Sequence, residues 1–350
     1  MGYKRLNCLV IIAVVALMGS LACASFSQDD DALGNAIELS NLVDVVKGGK
    51  IDWANQWMYA TGEGAMPSRD KMPNRAQALL AAKDYAKMAA IANLLMVIEG
   101  TAISYEGLGK DYMADVTLRQ KIEGYVKNVE IINSTQVKSG DDTLVRVTVG
   151  TRMYGSQTPG TAFLEKIQAD TVAAGGTLKA VPLIEIPDER SVKRPAEAVA
   201  SIPTRGNDKL PASSMPVDLS TLAERPVQVG PFTSLVVDTR GYDVRRSMSP
   251  KIRRLDGTEV WGTLSTIPDD IMENGLVAYV KTMEDAMACD RAGTNPFKTV
   301  AVGRAGGKAM ADTVVSDDDA KLILDENKNT KFMDKFNIIF VTDPGKTRPE

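Results

Sequence analysis

Six cations fall within fifteen positions of a chain whose formal charge is −4: Arg240, Arg245, Arg246, Lys251, Arg253 and Arg254. Positive charge gathered this tightly attracts anions such as a phosphate-bearing lipid surface or an acidic protein face. The competing reading is a solvated hairpin whose charges pair locally. Histidine is absent, which excludes Ser-His-Asp and Cys-His catalysis and the His-containing zinc sites. What remains open is carboxylate, lysine or bound-cofactor chemistry. No residue pattern specifies a catalytic group, a metal or a cofactor, so the chain reads as a non-enzyme.

The short motifs each fall short of the chemistry they suggest. Ser68-Arg69-Asp70-Lys71 has the spacing in which a lysine helps to activate a serine, but the further element it would need ends as Lys346-Thr347-Arg348. Gly303-Arg304-Ala305-Gly306-Gly307-Lys308 invites comparison with a phosphate loop, yet Val302 stands where the first glycine belongs and Ala309 where a Mg²⁺-binding hydroxyl belongs. Asp317, Asp318 and Asp319 are adjacent, and three consecutive carboxylates fit a capped helix start better than a calcium loop with alternating ligands. Asp238, Asp243 and Asp256 read as surface or turn residues, and Cys289 among Ala286, Met287 and Ala288 reads as core packing.

The elements that must position these residues follow from periodicity. Asn55 to Met66 alternates as a strand, with Met58, Ala60 and Gly62 on one face; Arg75 to Gly100 is an alanine-rich helix slim enough to lie against that small-residue face. Leu33 to Val46 reads as a short helix ended by Gly48-Gly49. Helix over Met113–Gly124, strand over Val126–Val137, a turn at Ser139-Gly140-Asp141-Asp142 and strand over Thr143–Tyr154 complete a first domain at 33–154. Residues 155–226 hold eight of the 16 prolines and read as an extended linker, apart from a helix at Ala162–Ala174. A second domain at 227–345 is expected from strands at Ser234–Val237, Lys251–Leu255, Glu259–Gly262, Leu276–Val280, Phe297–Val302 and Ile338–Val341. Its helices are expected at Met283–Arg291 and after Ser316. The predicted fold class is α+β: two small α+β domains joined by a Pro-rich linker after an N-terminal signal peptide.

The signal peptide is read at residues 1–24. Lys4 and Arg5 precede the uncharged run Leu9–Leu21, and Ala22-Cys23-Ala24 offers a small-x-small cleavage pattern. An alternative takes Ser20-Leu21-Ala22-Cys23 as a lipobox with lipidated Cys23, although Ser20 stands where leucine is usual. The chain is thus expected in the periplasm or secreted, or alternatively as an outer-membrane lipoprotein held by Cys23. Removing Lys4 and Arg5 shifts the charge by two units, from −4 to −6, which argues against nucleic acid as a partner.

Residues 52–154 resemble the Lpp-twenty lipoprotein family and the N-terminal domain of flagellar assembly protein T. The likeness is carried by Tyr59-Ala60-Thr61-Gly62-Glu63-Gly64, Arg75-Ala76-Gln77-Ala78, Ala81, Ala82, Tyr85, Ala86, Leu94-Leu95 and Ile98-Glu99-Gly100. The second domain is similar to a module of other secreted bacterial proteins through Gly241, Pro250-Lys251-Ile252, Asp256 to Gly262 and Arg291 to Pro296. The resemblance implies an envelope protein that assembles with other envelope proteins or decorates a larger structure, with the flagellar base or the outer membrane as its setting. It supplies no catalytic residue. A periplasmic binding module for an anionic ligand, using the basic hairpin, is the alternative function.

Overall fold

Glycine and alanine decide how the first half packs. Strand β3 (Trp57–Ala65) presents Met58, Ala60, Gly62 and Gly64 to helix α1 (Arg75–Gly100), which answers with Ala78, Ala82, Ala86 and Ala90, all fully buried. A Cβ on Gly62 would stand 2.2 Å from the Ala90 nitrogen, so helix and sheet touch backbone to backbone. The Asn74 carboxamide starts α1 by accepting from the amides of Ala76 and Gln77, two of the donors a helix N-terminus leaves unpaired. The computed structural model describes residues 40–101, 114–127, 129–139, 142–173, 228–263, 269–306, 309–345 and 347–348. The signal segment, Cys23 and most of the expected linker lie outside those residues.

Around β3 stand β1 (Val43–Val46), β2 (Gly49–Asp52), β4 (Glu130–Ser139) and β5 (Asp142–Arg152). Together with β14 (Thr347–Arg348) they form a six-stranded sheet in the order β14-β1-β2-β3-β5-β4. Helices α2 (Val116–Val126) and α3 (Pro159–Ala173) accompany α1. Two expectations are corrected here. Residues 43–46, read as helix, form β1, because Lys47-Gly48 turns the chain with Gly48 at φ +91° and pairs Val46 with Gly49. The helix expected at Ala162–Ala174 is present as α3 from Pro159, but it is no part of a linker: it buries Phe163, Leu164 and Ile167 in the main core. The first half therefore runs through Ala173.

The second half carries two sheets. Strands β6 (Ser234–Asp238), β9 (Ala278–Val280), β10 (Pro296–Val300) and β13 (Ile338–Val341) form a wholly parallel sheet in the order β10-β6-β13-β9. Its central strands, Ser234–Asp238 and Ile338–Val341, are buried at every position, as expected of strands covered on both faces. Strands β7 (Ile252–Arg253), β8 (Glu259–Trp261), β11 (Gly303–Ala305) and β12 (Asp312–Val314) form the other, ordered β11-β12-β7-β8. Its helices are α4 (Asp269–Asn274), α5 (Met283–Ala288) and α6 (Asp317–Thr330). The Ser316 hydroxyl accepts from the Asp319 amide, and three aspartates in the first turn complement the α6 dipole, as read from sequence. The helix expected over Met283–Arg291 breaks at Cys289 into α5 and a 3-10 turn at Asp290–Ala292.

The fold is α+β, and the two halves pack as one unit from Leu39 onward. Met153, Tyr154 and Phe163 share a core with Ile271, Leu276 and Phe340. Trp53 meets Tyr279 edge-on at 5.6 Å, and the Tyr154 hydroxyl donates to the Met248 carbonyl at 2.5 Å. Beyond β13 the chain returns to the first sheet, where β14 pairs in parallel with β1. Not every glycine is packed against something. Gly124, inside α2, has open space where a side chain would go. Gly124→Ala is therefore expected to raise stability by about 0.5–1 kcal/mol, read as a higher urea midpoint.

Candidate functional site

In open parallel sheets, ligands sit beyond the carboxyl ends of the strands. Here β6 delivers Asp238, Thr239 and Arg240 to that edge, and β13 delivers Thr342 and Asp343. The charged side chains there are engaged within the fold. Arg240 forks onto Asp238, with Nε to Oδ1 at 2.9 Å and Nη2 to Oδ2 at 2.8 Å, both side chains buried. The Gly241 amide donates to the Asp343 carboxylate at 3.2 Å. Arg246 donates from Nη1 to Thr342 Oγ1 (3.0 Å) and the Asp343 carbonyl (2.8 Å), and from Nη2 to Asp44 Oδ1 (2.6 Å). Asp44 lies on β1 and also accepts from Trp53 Nε1 at 2.8 Å. One guanidinium thus fastens the first half, the second half and the returning C-terminal segment.

The hairpin behind it is equally committed. Lys251 Nζ, fully buried, donates to Glu259 Oε2 at 2.6 Å and to Thr263 Oγ1 at 2.8 Å. Arg253 reaches Asp312 Oδ2 from Nε at 2.5 Å and the Gly257 carbonyl from Nη1 at 3.1 Å. Burial pushes the Asp312 carboxyl up against the pull of Arg253. Burial also pushes Glu259 up, but the Lys251 charge and hydrogen bonds from Lys251 and Thr263 outweigh it, holding the carboxyl below its ordinary 4.5. A depressed carboxylate contributes stability that is present above its ordinary value and is lost as pH falls through the lowered one. Glu259→Gln should remove that component, so the difference in urea midpoint from wild type should shrink steadily below pH 4.5. The neighbouring Lys251, Arg253 and Asp312 are common to both proteins.

This placement corrects the expected anion-binding face. Arg240, Arg246, Lys251 and Arg253 are buried and pair with Asp238, Asp44, Glu259 and Asp312, four cations against four carboxylates. Arg245 and Arg254 are half-buried. Local pairing was the other reading of this hairpin, and it holds for Asp238 and Glu259. The sequence signal for it was the Asp256-Gly257 turn, which sets Arg253 opposite Glu259. No local signal pointed to Asp44 or Asp312.

A narrow crevice lies beside the network, lined by Thr239, Arg245, Pro250, Tyr279, Phe340 and Thr342 among others, and is too tight to seat a water molecule. The Tyr279 hydroxyl accepts from the Ser247 amide and donates to the Ser247 carbonyl, and burial pushes the phenol well above its ordinary 10. Ser68 and Lys71 lie in an exposed turn closed by the Lys71 amide on the Ser68 carbonyl. Gly303, Arg304 and Ala305 are strand β11 rather than a loop. Cys289 is half-buried against the small cluster around Val236 and Ile339. Among the described residues, no group of three carboxylates or cysteines is placed to hold a metal. The arrangement neutralises buried charge and fastens the halves together.

The fold and this network define an α+β protein whose charged interior joins its parts. The second half, over residues 234–344, matches the family model of the second domain of Treponema pallidum Tp0624. That span begins with β6 and stops just before β14. No curated protein matches the chain.

Proposed function

We propose that the protein is an exported, non-enzymatic structural or assembly component of the bacterial cell envelope, serving the outer membrane or the base of a flagellum. The observation that carries this reading is the Arg246–Asp44 pair. The polar groups at the sheet edge where a ligand would be expected fasten one half of the chain to the other. The export signal and the resemblance of residues 52–154 to the Lpp-twenty family and flagellar assembly protein T support the address. No described helix is long and apolar enough to cross a membrane, so attachment would rest on a lipidated Cys23 or on protein partners.

The test is fractionation of native cells with intact-mass analysis and crosslinking. The expected protein begins at Ser25 or at a triacylated Cys23, lies in the envelope and crosslinks to other envelope proteins. An uncleaved chain in the cytosol, or purified protein that turns over an envelope substrate, would overturn the reading.

A further inference from the structure

The strands of the six-stranded sheet join antiparallel from β1 through β4, and only β14 runs parallel to its neighbour. It reaches the sheet from beyond the whole second half and pairs Thr347 and Arg348 with Val45 and Val46 alone. Prolines stand on either side, at 344 and 349, and proline brings no amide to a ladder, so neither end can add a donor to the pairing. The same register sets Gly345 opposite Val43, where the backbones lie so close that a Cβ on Gly345 would stand 1.7 Å from the Val43 oxygen. Arg246 and the Gly241 amide hold Thr342 and Asp343. Past Asp343 the segment rests on β1 through the Gly345 contact and two residue pairs.

We propose that the outer edge of β1 is a strand-accepting site and that β14 is its displaceable cover. The occupant is an extended segment of another envelope protein, laid parallel to β1 with a glycine opposite Val43. An uncovered edge strand presents unpaired amides and carbonyls, and adding a strand to such an edge is a general mode of recognition: the backbone supplies affinity and chosen positions supply specificity. Here the specificity is steric, because only glycine clears the Val43 backbone. An incoming strand free of prolines can pair along all four residues of β1, Val43–Val46, and so makes more ladder bonds than the cover it replaces. Opening leaves the halves joined. Arg246 grips Asp44 of β1 and the Asp343 carbonyl at once, so the cover swings out beyond a point that stays fixed.

The inference rests on the assembly reading, to which it adds the way a partner attaches. Its test needs only purified full-length protein, so failure here leaves the envelope address to the fractionation experiment. Two variants uncover the edge: Gly345→Ala sets a methyl against the Val43 backbone, and Thr347→Pro takes an amide from the paired stretch. In each, hydrogen exchange over residues 43–46 should quicken by about tenfold or more while exchange over β3 stays as in wild type, with circular dichroism monitoring the fold. The probe is a synthetic peptide copying Thr342–Glu350 with threonine in place of both prolines. It should bind Gly345→Ala with a dissociation constant below about 1 mM. Wild type should bind it about tenfold or more weakly, because only the uncovered fraction of its edge is open. The same peptide with alanine for its glycine should bind the variant about tenfold or more weakly. Exchange at 43–46 unmoved in both variants, equal binding by wild type, or equal binding of the glycine and alanine peptides would each overturn the proposal. So would an edge that opens yet takes no peptide at about 1 mM, which would make β14 a plain cap.

Discussion

Gly64→Ala is expected to destabilise the protein by about 3 kcal/mol, although it adds one methyl group. The new Cβ would stand 2.0 Å from the Ala82 carbonyl oxygen and 2.8 Å from the Ala86 nitrogen. Both are backbone atoms of α1, so no side chain can rotate away, and relief requires the helix to lift from β3. Lifting it uncovers Met58, Val147 and Leu94, all fully buried. Gly62 faces α1 in the same way, with the Ala86 oxygen 2.3 Å from its would-be Cβ. The measurement is the urea midpoint of Gly64→Ala beside that of Gly124→Ala, where the same methyl meets open space. Opposite signs are expected. A Gly64→Ala protein within 1 kcal/mol of wild type would mean that α1 does not sit against the sheet at this distance.

That contact was legible from sequence because it is local in kind. The strand's small-residue face and the helix's alanine stripe are each written in a single periodicity, as are the Ser316 cap and the apolar runs of β6 and β13. Where two periods fit equally, reading failed. Leu39, Leu42, Val43 and Val46 suit a helical spacing, and only the left-handed Gly48 and its pairing across the turn make the segment strand. Helix α3 is legible as a helix at Ala162–Ala174, but not its start at Pro159 nor its place in the first half's core, because the proline-rich composition around it reads as linker. Proline is well tolerated in the first helical turn, and Gly160 is required where its Cβ would meet the Met153 carbonyl at 2.3 Å. The basic hairpin failed for another reason. Charge is visible in a sequence and burial is not; the carboxylate facing Arg246 lies 202 residues away and that facing Arg253 lies 59 away. Pairing at such separations is set by the packing of the halves, which no local pattern carries.

The second large effect is therefore expected at the Arg246–Asp44 pair. Arg246→Met leaves the Asp44 carboxylate buried opposite a thioether, and Asp44→Asn leaves the guanidinium facing a neutral amide. Stranding one charge of a buried pair costs about 3–5 kcal/mol, whereas removing both is often close to neutral. Trp53 Nε1 can still donate to an asparagine at 44, which makes Asp44→Asn the milder single change. The double variant should fall within about 2 kcal/mol of wild type, giving a favourable coupling of at least about 2 kcal/mol in a urea-unfolding cycle. Arg246 also holds the Asp343 carbonyl at 2.8 Å, just before the backbone of Gly345 presses onto Val43 and β14 joins β1. Arg246→Met should accordingly speed proteolysis of the last residues more than Asp44→Asn does, as read by intact mass. Simple additivity of the two substitutions, or single losses under 1 kcal/mol, would show that the halves are held by their shared apolar core without help from this pair.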